Sequence, residues 1–304
     1  MPDSSTSAVP LPFERPALGK IPERKIPRDD ASCGWIETLA PETAPPQRLV
    51  GRRRAAVVVL GAGFTGLAAA RRYAELRPQA QVVLLEAQRA GFGTSGRSSG
   101  FLVDLAHFIA RMRPDDADRY VRVARHGIAQ LRQQVEAHGI VCDWDERGWI
   151  HAARGEAAAR ALPTLAAWLD RRGEAYETLD RDALASLLGT PYYRAGLRLP
   201  GSVLVQAAAL LRGLVAHLPP SVELLEESPA LSIRRARSGW EIESTNGSVH
   251  AEHLLLATNA YTPNLGALGR HLFPLWTFGS LTRPLNEDEQ ATLGREREWG
   301  VLAE

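Results

Sequence analysis

Gly61, Gly63 and Gly66 stand at the spacing G-x-G-x-x-G, and Glu86 follows twenty residues after the last of them. Residues of these types at this spacing can hold the pyrophosphate and ribose of an adenine dinucleotide. Gly61 permits a tight turn, Gly63 lets a phosphate approach the backbone, and Gly66 lets a helix lie close on a strand. The helix opening there, with Ala62, Phe64 and Thr65 at its entrance, offers N–H groups and partial positive charge to the phosphates. Glu86, with Ala87 beside it, can accept hydrogen bonds from ribose hydroxyls, and its charge disfavours a 2′-phosphate. Among 26 glycines the spacing alone would arise by chance. The apolar run before it and the helical pattern after it give it weight.

The stretch "GFGTSGRSSG", Gly91–Gly100, separates two dinucleotides. An NAD domain would reach a third parallel strand soon after the second. Here the chain instead enters a loop with Thr94, Ser95, Arg97 and Ser98. Its N–H groups, hydroxyls and guanidinium suit a second phosphate and a ribityl chain, which favours FAD over an NAD-linked dehydrogenase. An ordinary polar surface loop is the alternative.

The elements that must position these residues are readable from pattern. Ala55–Leu60 is a continuous apolar strand of the kind buried on both faces. A helix from about Thr65 to near Pro78 carries Leu67, Ala70 and Ala74 at helical spacing, and "QVVLLE" is a second buried strand ending on Glu86. The pattern predicts a helix over 115–139 with Ala124, Ile128, Leu131 and Val135 as its apolar stripe and Gly139 as its C-terminal stop. "VCDWDERGWIHAA" reads as a hairpin turning at Glu146–Gly148. Helices are expected over 156–172 and 205–218, then strands in "SVELLEES", "LSIRRAR", "GWEIEST" and "SVHAEHLLLAT". Strand–helix–strand first and a meander later predict an α/β fold: a parallel dinucleotide sheet with antiparallel insertions.

Composition narrows the function classes. The 304 residues, 45% hydrophobic, suffice for two domains, and a net charge of +1 offers no general field for nucleic acid or a membrane surface. Cys33 and Cys142 are too few for a disulfide framework or metal cluster, and the eight histidines show no metal-ligand spacing. No apolar run approaches the ~20 residues that span a bilayer. These features predict a cytoplasmic protein without an integral membrane segment. Residues 1–52 are proline-rich, charged and aperiodic, which reads either as a poorly ordered leader or as a docked arm that Trp35 and Ile36 can anchor.

"VVVLGAGFTGLAAA", "VVLLEA" and "GFGTSGRSSGF" resemble the FAD-dependent oxidoreductases of the D-amino-acid oxidase/glycine oxidase/sarcosine oxidase family, in particular its bacterial gamma-glutamylputrescine oxidase-like branch. "SVELLEESPAL" resembles the strand whose backbone contacts adenine, which puts Pro229 and Ala230 there. "GSVHAEHLLLATNAYTP" resembles the strand ending beside the cofactor, with Ala257, Thr258 and Asn259 at its tip. "CGWIETLAPETAPP" resembles the arm that precedes the first strand in this branch. The resemblance implies an FAD-binding Rossmann-like domain of the glutathione-reductase type, residues 53–104 and 203–262. An antiparallel α+β substrate domain, 105–202 and 263–304, is inserted in it. It also implies oxidation of the CH–NH bond of an amine or amino acid with oxygen as acceptor. Two departures stand out. Val205–Gln206 replace a His-Pro or Asn-Pro pair, and family members continue past "REREWGVLAE" into a segment beside the isoalloxazine ring. The chain is therefore expected to be part of a longer protein or a truncated, catalytically inactive FAD-binding relative.

No acid–base dyad is visible, because the flavin carries the hard step in this chemistry. Asp143, Asp145 and Glu146 near Trp144 and Trp149 suit a cationic amine, or equally a solvated tip. Trp276 and Phe278 resemble the substrate-domain strand over the flavin and read as core aromatics. Arg52, Arg53 and Arg54 read as a solvated edge.

Overall fold

The computed structural model describes residues 21–22, 25–28, 33–42, 44–106, 108–269, 271–275, 277–296 and 300–303. In chain order the elements begin with helix α1 (Gly34–Glu37), strand β1 (Gly51–Leu60), α2 (Phe64–Leu76), β2 (Val82–Leu85) and β3 (Phe101–Leu102). Next come α3 (Pro114–His138), β4 (Trp149–Ala153), α4 (Glu156–Asp170), β5 (Glu177–Asp180) and α5 (Arg181–Leu188). The middle closes with β6 (Ala195–Leu199), β7 (Val203–Leu204) and α6 (Ala207–Ala216). The remainder is β8 (Val222–Leu225), β9 (Ser232–Arg235), β10 (Trp240–Glu243), β11 (Gly247–Leu256), α7 (Glu287–Ala291) and β12 (Val301–Ala303). Two compact units result, Met1–Arg97 with Leu214–Phe278, and Ser98–Gly213 with Gly279–Glu304.

The first unit is built on a six-stranded sheet in the order β8-β2-β1-β11-β10-β9. β8, β2, β1 and β11 run parallel, and β10 and β9 add antiparallel edges. Val57–Leu60 and all four residues of β2 are buried, as the unbroken apolar runs require of strands covered on both faces. Val58, Leu60, Val83, Leu85 and Leu225 meet Ile233, Ile242 and Val249 in one core. Arg52–Arg54 belong to the exposed start of β1, where Arg53 pairs with Glu223 at 3.1 Å.

The second unit holds the antiparallel architecture, a sheet ordered β12-β4-β6-β5 with only β12–β4 parallel, and the small pair β3–β7. α3 ends on Gly139 at φ 61°, a left-handed C-terminal residue that glycine adopts without strain. Its stripe of Ala124, Ile128, Leu131 and Val135 is half-buried, and Ala117 is its buried residue.

The expected hairpin over 141–153 does not form. β4 pairs with β6 and β12, while Asp145 makes an isolated antiparallel bridge to Leu204. All five β4 residues are buried, so the run carries no alternation to reveal its partners. The pairing of β4 with β6 needs a glycine at 148: at φ 77°, its Cβ position lies 2.0 Å from the Leu199 carbonyl oxygen.

A buried carboxylate ties this unit together. Asp104 is 1% exposed; its Oδ1 accepts from the Ser202 hydroxyl at 3.1 Å and its Oδ2 from Arg125 Nε at 3.0 Å. Asp104→Ala leaves both donors without their acceptor and is expected to cost about 2 kcal/mol in urea unfolding, as for hydrogen bonds to a charged group.

Candidate functional site

The glycine loop lies where β1 meets α2, and each glycine is required by a close approach. Gly61 has φ 99°, and a Cβ on it would stand 2.7 Å from the Ala257 carbonyl oxygen. A Cβ on Gly66 would stand 1.8 Å from the Gly61 carbonyl oxygen, so the first turn of α2 rests directly on the end of β1. Gly63 is the N-cap of α2 and brings no side-chain acceptor. Ser95 fills that role from the next loop: its Oγ accepts the Phe64 N–H at 3.1 Å, and a Cβ on Gly63 would meet it at 2.6 Å. Thr65 faces solvent at the helix entrance, where first-turn N–H groups have no partner within the helix.

Glu86 stands immediately after β2 and touches the same loop. Its Oε2 accepts the Ala62 N–H at 2.8 Å and its Oε1 the Gln88 N–H at 3.0 Å. Burial pushes its carboxyl above the usual carboxylate range, opposed by the backbone N–H groups of Ala62, Gln88 and Ala87. The Glu86 carbonyl accepts from Ser228 N–H at 2.8 Å, which ties this turn to the segment after β8. Two residues further on, Ala230 packs on the first unit's core.

The tip of β11 closes on the glycines from the other side. Ala257 N–H donates to the Leu60 carbonyl at 2.8 Å, and the Thr258 and Thr262 hydroxyls lie 3.0 Å apart. Asn259, at φ 44°, opens a 3-10 turn over Asn259–Leu265. In the Gly91–Gly100 loop, Arg97 Nε donates to the Phe92 carbonyl at 2.7 Å, and Gly96 packs on Gly91 so closely that its Cβ position is 1.9 Å from the Gly91 oxygen. Thr94 is exposed in that loop, and Ser98 is an exposed residue opening the second unit.

Thus Gly61, Ala62, Gly63, Phe64, Gly66, Glu86, Ser95 and Ala257 form one cluster of contacts in the first unit, with Ala87, Thr258 and Asn259 in continuity with it through the backbone. The residue types fit FAD: a glycine turn at a helix N-terminus whose Thr65 entrance is exposed, with a buried carboxylate beside it that has acceptor capacity left for hydroxyls. Sequence reasoning missed Ser228, whose N–H meets the Glu86 carbonyl, and the ion pair of Glu226 with Arg89. "EES" at 226–228 reads only as the end of a strand.

The weaker candidates separate. Trp149 is 1% exposed inside the second unit's core, so it does not flank the acids before it. Glu146 pairs with Arg132 at 2.7 Å and accepts Trp144 Nε1 at 2.8 Å; Asp145 pairs with Arg147 at 3.3 Å. Phe278 is 98% exposed and no core aromatic; Trp276 and His107 lie outside the described residues. His151 is buried in β4, edge-on to Trp149. Among the described residues no group of acids, histidines and cysteines can hold a metal ion, and no helix is long and apolar enough to cross a membrane.

The chain is similar to several known proteins. A probable oxidoreductase OrdL of Haemophilus influenzae is 28% identical over 245 residues, 76% of this chain and 56% of that protein. Gamma-glutamylputrescine oxidoreductase of Escherichia coli is 26% identical over 249 residues, with the same coverage of 76% and 56%. The crystal structure of glycine oxidase from Geobacillus kaustophilus superposes with a TM-score of 0.61 at 25% identity, over 71% of this chain and 58% of that one. The chain thus spans somewhat over half the length of these relatives. The model of the DAO family, FAD dependent oxidoreductase, matches residues 56–300, and the chain belongs to that family.

Proposed function

We propose that this chain supplies the dinucleotide site and part of the substrate-binding region of an amine- or amino-acid-oxidising flavoprotein. The carrying observation is the contact of Glu86 with the glycine loop at Ala62, which supports a ribose at the carboxylate beside a pyrophosphate at the loop. The names of two relatives, gamma-glutamylputrescine oxidoreductase and glycine oxidase, support the substrate class. Bound FAD would supply the two-electron acceptor: it would take the hydride from the nitrogen-bearing carbon as the nitrogen gives up a proton, leaving the imine, and oxygen would take the electron pair with two protons as hydrogen peroxide. The chain's own residues bind and orient. Gly61, Gly63 and Gly66 admit the pyrophosphate to the backbone, and the first turn of α2 gives it N–H groups. Glu86 takes the ribose hydroxyls. Thr94, Ser95 and Arg97 serve the second phosphate and ribityl chain, Ala230 the adenine, and Ala257–Asn259 the flavin end. The two free cysteines, both buried, suit a reducing, cytoplasmic setting.

The visible spectrum of the purified chain, before and after adding FAD, tests this reading. A bound flavin band that bleaches anaerobically with an amine or amino acid is the expected result. A band that forms and never bleaches supports dinucleotide binding without turnover. A protein that stays colourless with FAD overturns the reading.

A further inference from the structure

The segment before β1 is more than a leader. Its described residues touch the Gly91–Gly100 loop and the segment after β8 at several points. Cys33 Sγ lies 3.8 Å from the Gly96 carbonyl oxygen in the loop after β2. Gln47 accepts the Glu226 N–H at 2.8 Å through its carbonyl, and Leu49 N–H donates to the Ser228 hydroxyl at 2.9 Å. Arg48 pairs with Glu227. Leu49, Cys33 and Ile21 are buried, Ile21 in the first unit's core with its N–H on the Leu231 carbonyl at 2.7 Å, while Trp35 and Ile36 are half-buried, so the described part of the segment is fastened at several points.

Arg89 links this segment to the ribose carboxylate. Its Nη2 donates to Glu42, and its Nε stands 3.4 Å from Glu226 Oε2. Glu226 in turn accepts the Ala90 N–H at 2.7 Å. Glu226, Glu227 and Ser228 then hold the turn that carries Glu86: Glu86 N–H donates to Leu225, Glu227 N–H to Gln88, and Ser228 N–H to Glu86, at 2.9, 2.8 and 2.8 Å. Burial and, after it, the charges of Glu42 and Glu86 push the Glu226 carboxyl up, with the Ala90 N–H and Arg89 opposing. A guanidinium set among these carboxylates keeps charges of one sign in a small, partly dry space.

We propose that the segment is a strap on the adenosine end of the cofactor site, and that Arg89, held between Glu42 and Glu226, is a positioning residue for Glu86. Arg89 Nη2 is hydrogen-bonded to Glu42 and its Nε is ion-paired with Glu226 without a hydrogen bond, so the guanidinium faces these two carboxylates and acts through the turn they border. The proposal rests on the placement of the adenosine ribose at Glu86, and its test keeps the two apart. FAD and ADP are titrated by calorimetry into the full chain and into Arg89→Gln, Arg89→Lys, Glu42→Gln and Glu86→Gln, at a temperature well below each melting point. Arg89→Gln is expected to weaken both ligands about tenfold, the size of one hydrogen bond to a charged group. Lysine should recover most of that loss, and Glu42→Gln should lie between. A purely structural arginine would lower the melting temperature and leave both dissociation constants in place, which overturns the proposal. So does an effect of Arg89→Gln that Glu42→Gln does not share. If Glu86→Gln also binds like the parent, or the parent binds neither FAD nor ADP, the ribose placement itself falls and the strap with it.

Discussion

Gly66→Ala is expected to destabilise the protein by about 3 kcal/mol, near the upper end for an overpacked site, and to abolish FAD uptake. The added carbon would lie 1.8 Å from the Gly61 carbonyl oxygen and 3.4 Å from the Ala257 Cβ. The oxygen is backbone at the end of β1, a strand paired on both sides with β2 and β11, so it cannot rotate aside as a side chain would. Relief requires α2 to lift from the sheet, which opens the glycine loop and carries the Phe64 N–H away from Ser95. Gly127→Ala is the control with the opposite sign. Gly127 is an exposed glycine inside α3 with nothing within 4 Å of its Cβ position, and alanine there should add roughly 0.5–1 kcal/mol. Urea unfolding of both variants, with FAD titrations alongside, separates loss of glycine as such from loss of this contact. Equal behaviour of the two would remove the close-packing account of the loop.

Much of the first unit could be read from the chain because its signals are local. β1 and β2 are short apolar runs bounded by breakers, α2 has helical spacing, and the β9–β10–β11 meander has polar turns between apolar strands. Glu86 was found by counting from the glycines. Its companions were not, since Arg89, Glu226 and Glu42 act through contacts between distant segments and leave no period or motif. Ser228 is hidden for the same reason: its hydroxyl serves Leu49, and one serine among strand-like residues says nothing of that.

The second unit was harder to read. β4 is buried throughout and so has no face to show, which left the hairpin as the nearest local explanation. β5 and α5 went unread because a four-residue strand with one buried side chain runs straight into an eight-residue helix, and the Asp180 cap is the sole mark of the boundary. Phe278 was taken for core on residue type alone, a one-way rule that its 98% exposure breaks.

Glu86→Gln is expected to weaken FAD by about ten- to a hundredfold, since both carboxylate oxygens already serve backbone N–H groups and the amide nitrogen can accept from neither. The pH dependence gives the sign. Burial raises the Glu86 carboxyl above its ordinary value in the folded protein. The folded state therefore binds this proton more readily than the unfolded chain does. The associated stability is fully present below the unfolded value and is lost as pH rises through the raised one. FAD requires the opposite charge state, because a protonated carboxyl accepts fewer bonds from the ribose. Mild acidification from neutral should thus weaken FAD while making the cofactor-free protein, through this group, more stable. Glu226, also raised by burial, contributes to stability with the same sign, and Glu42 and Arg89 face it. The part due to Glu86 is the difference between the parent and Glu86→Gln. In the glutamine variant the acid loss of FAD affinity should flatten and the low-pH gain in stability should shrink to what Glu226 and the other carboxylates supply. Parallel pH profiles for the two proteins would mean that Glu86 keeps its charge across this range, and that its backbone N–H partners outweigh its burial.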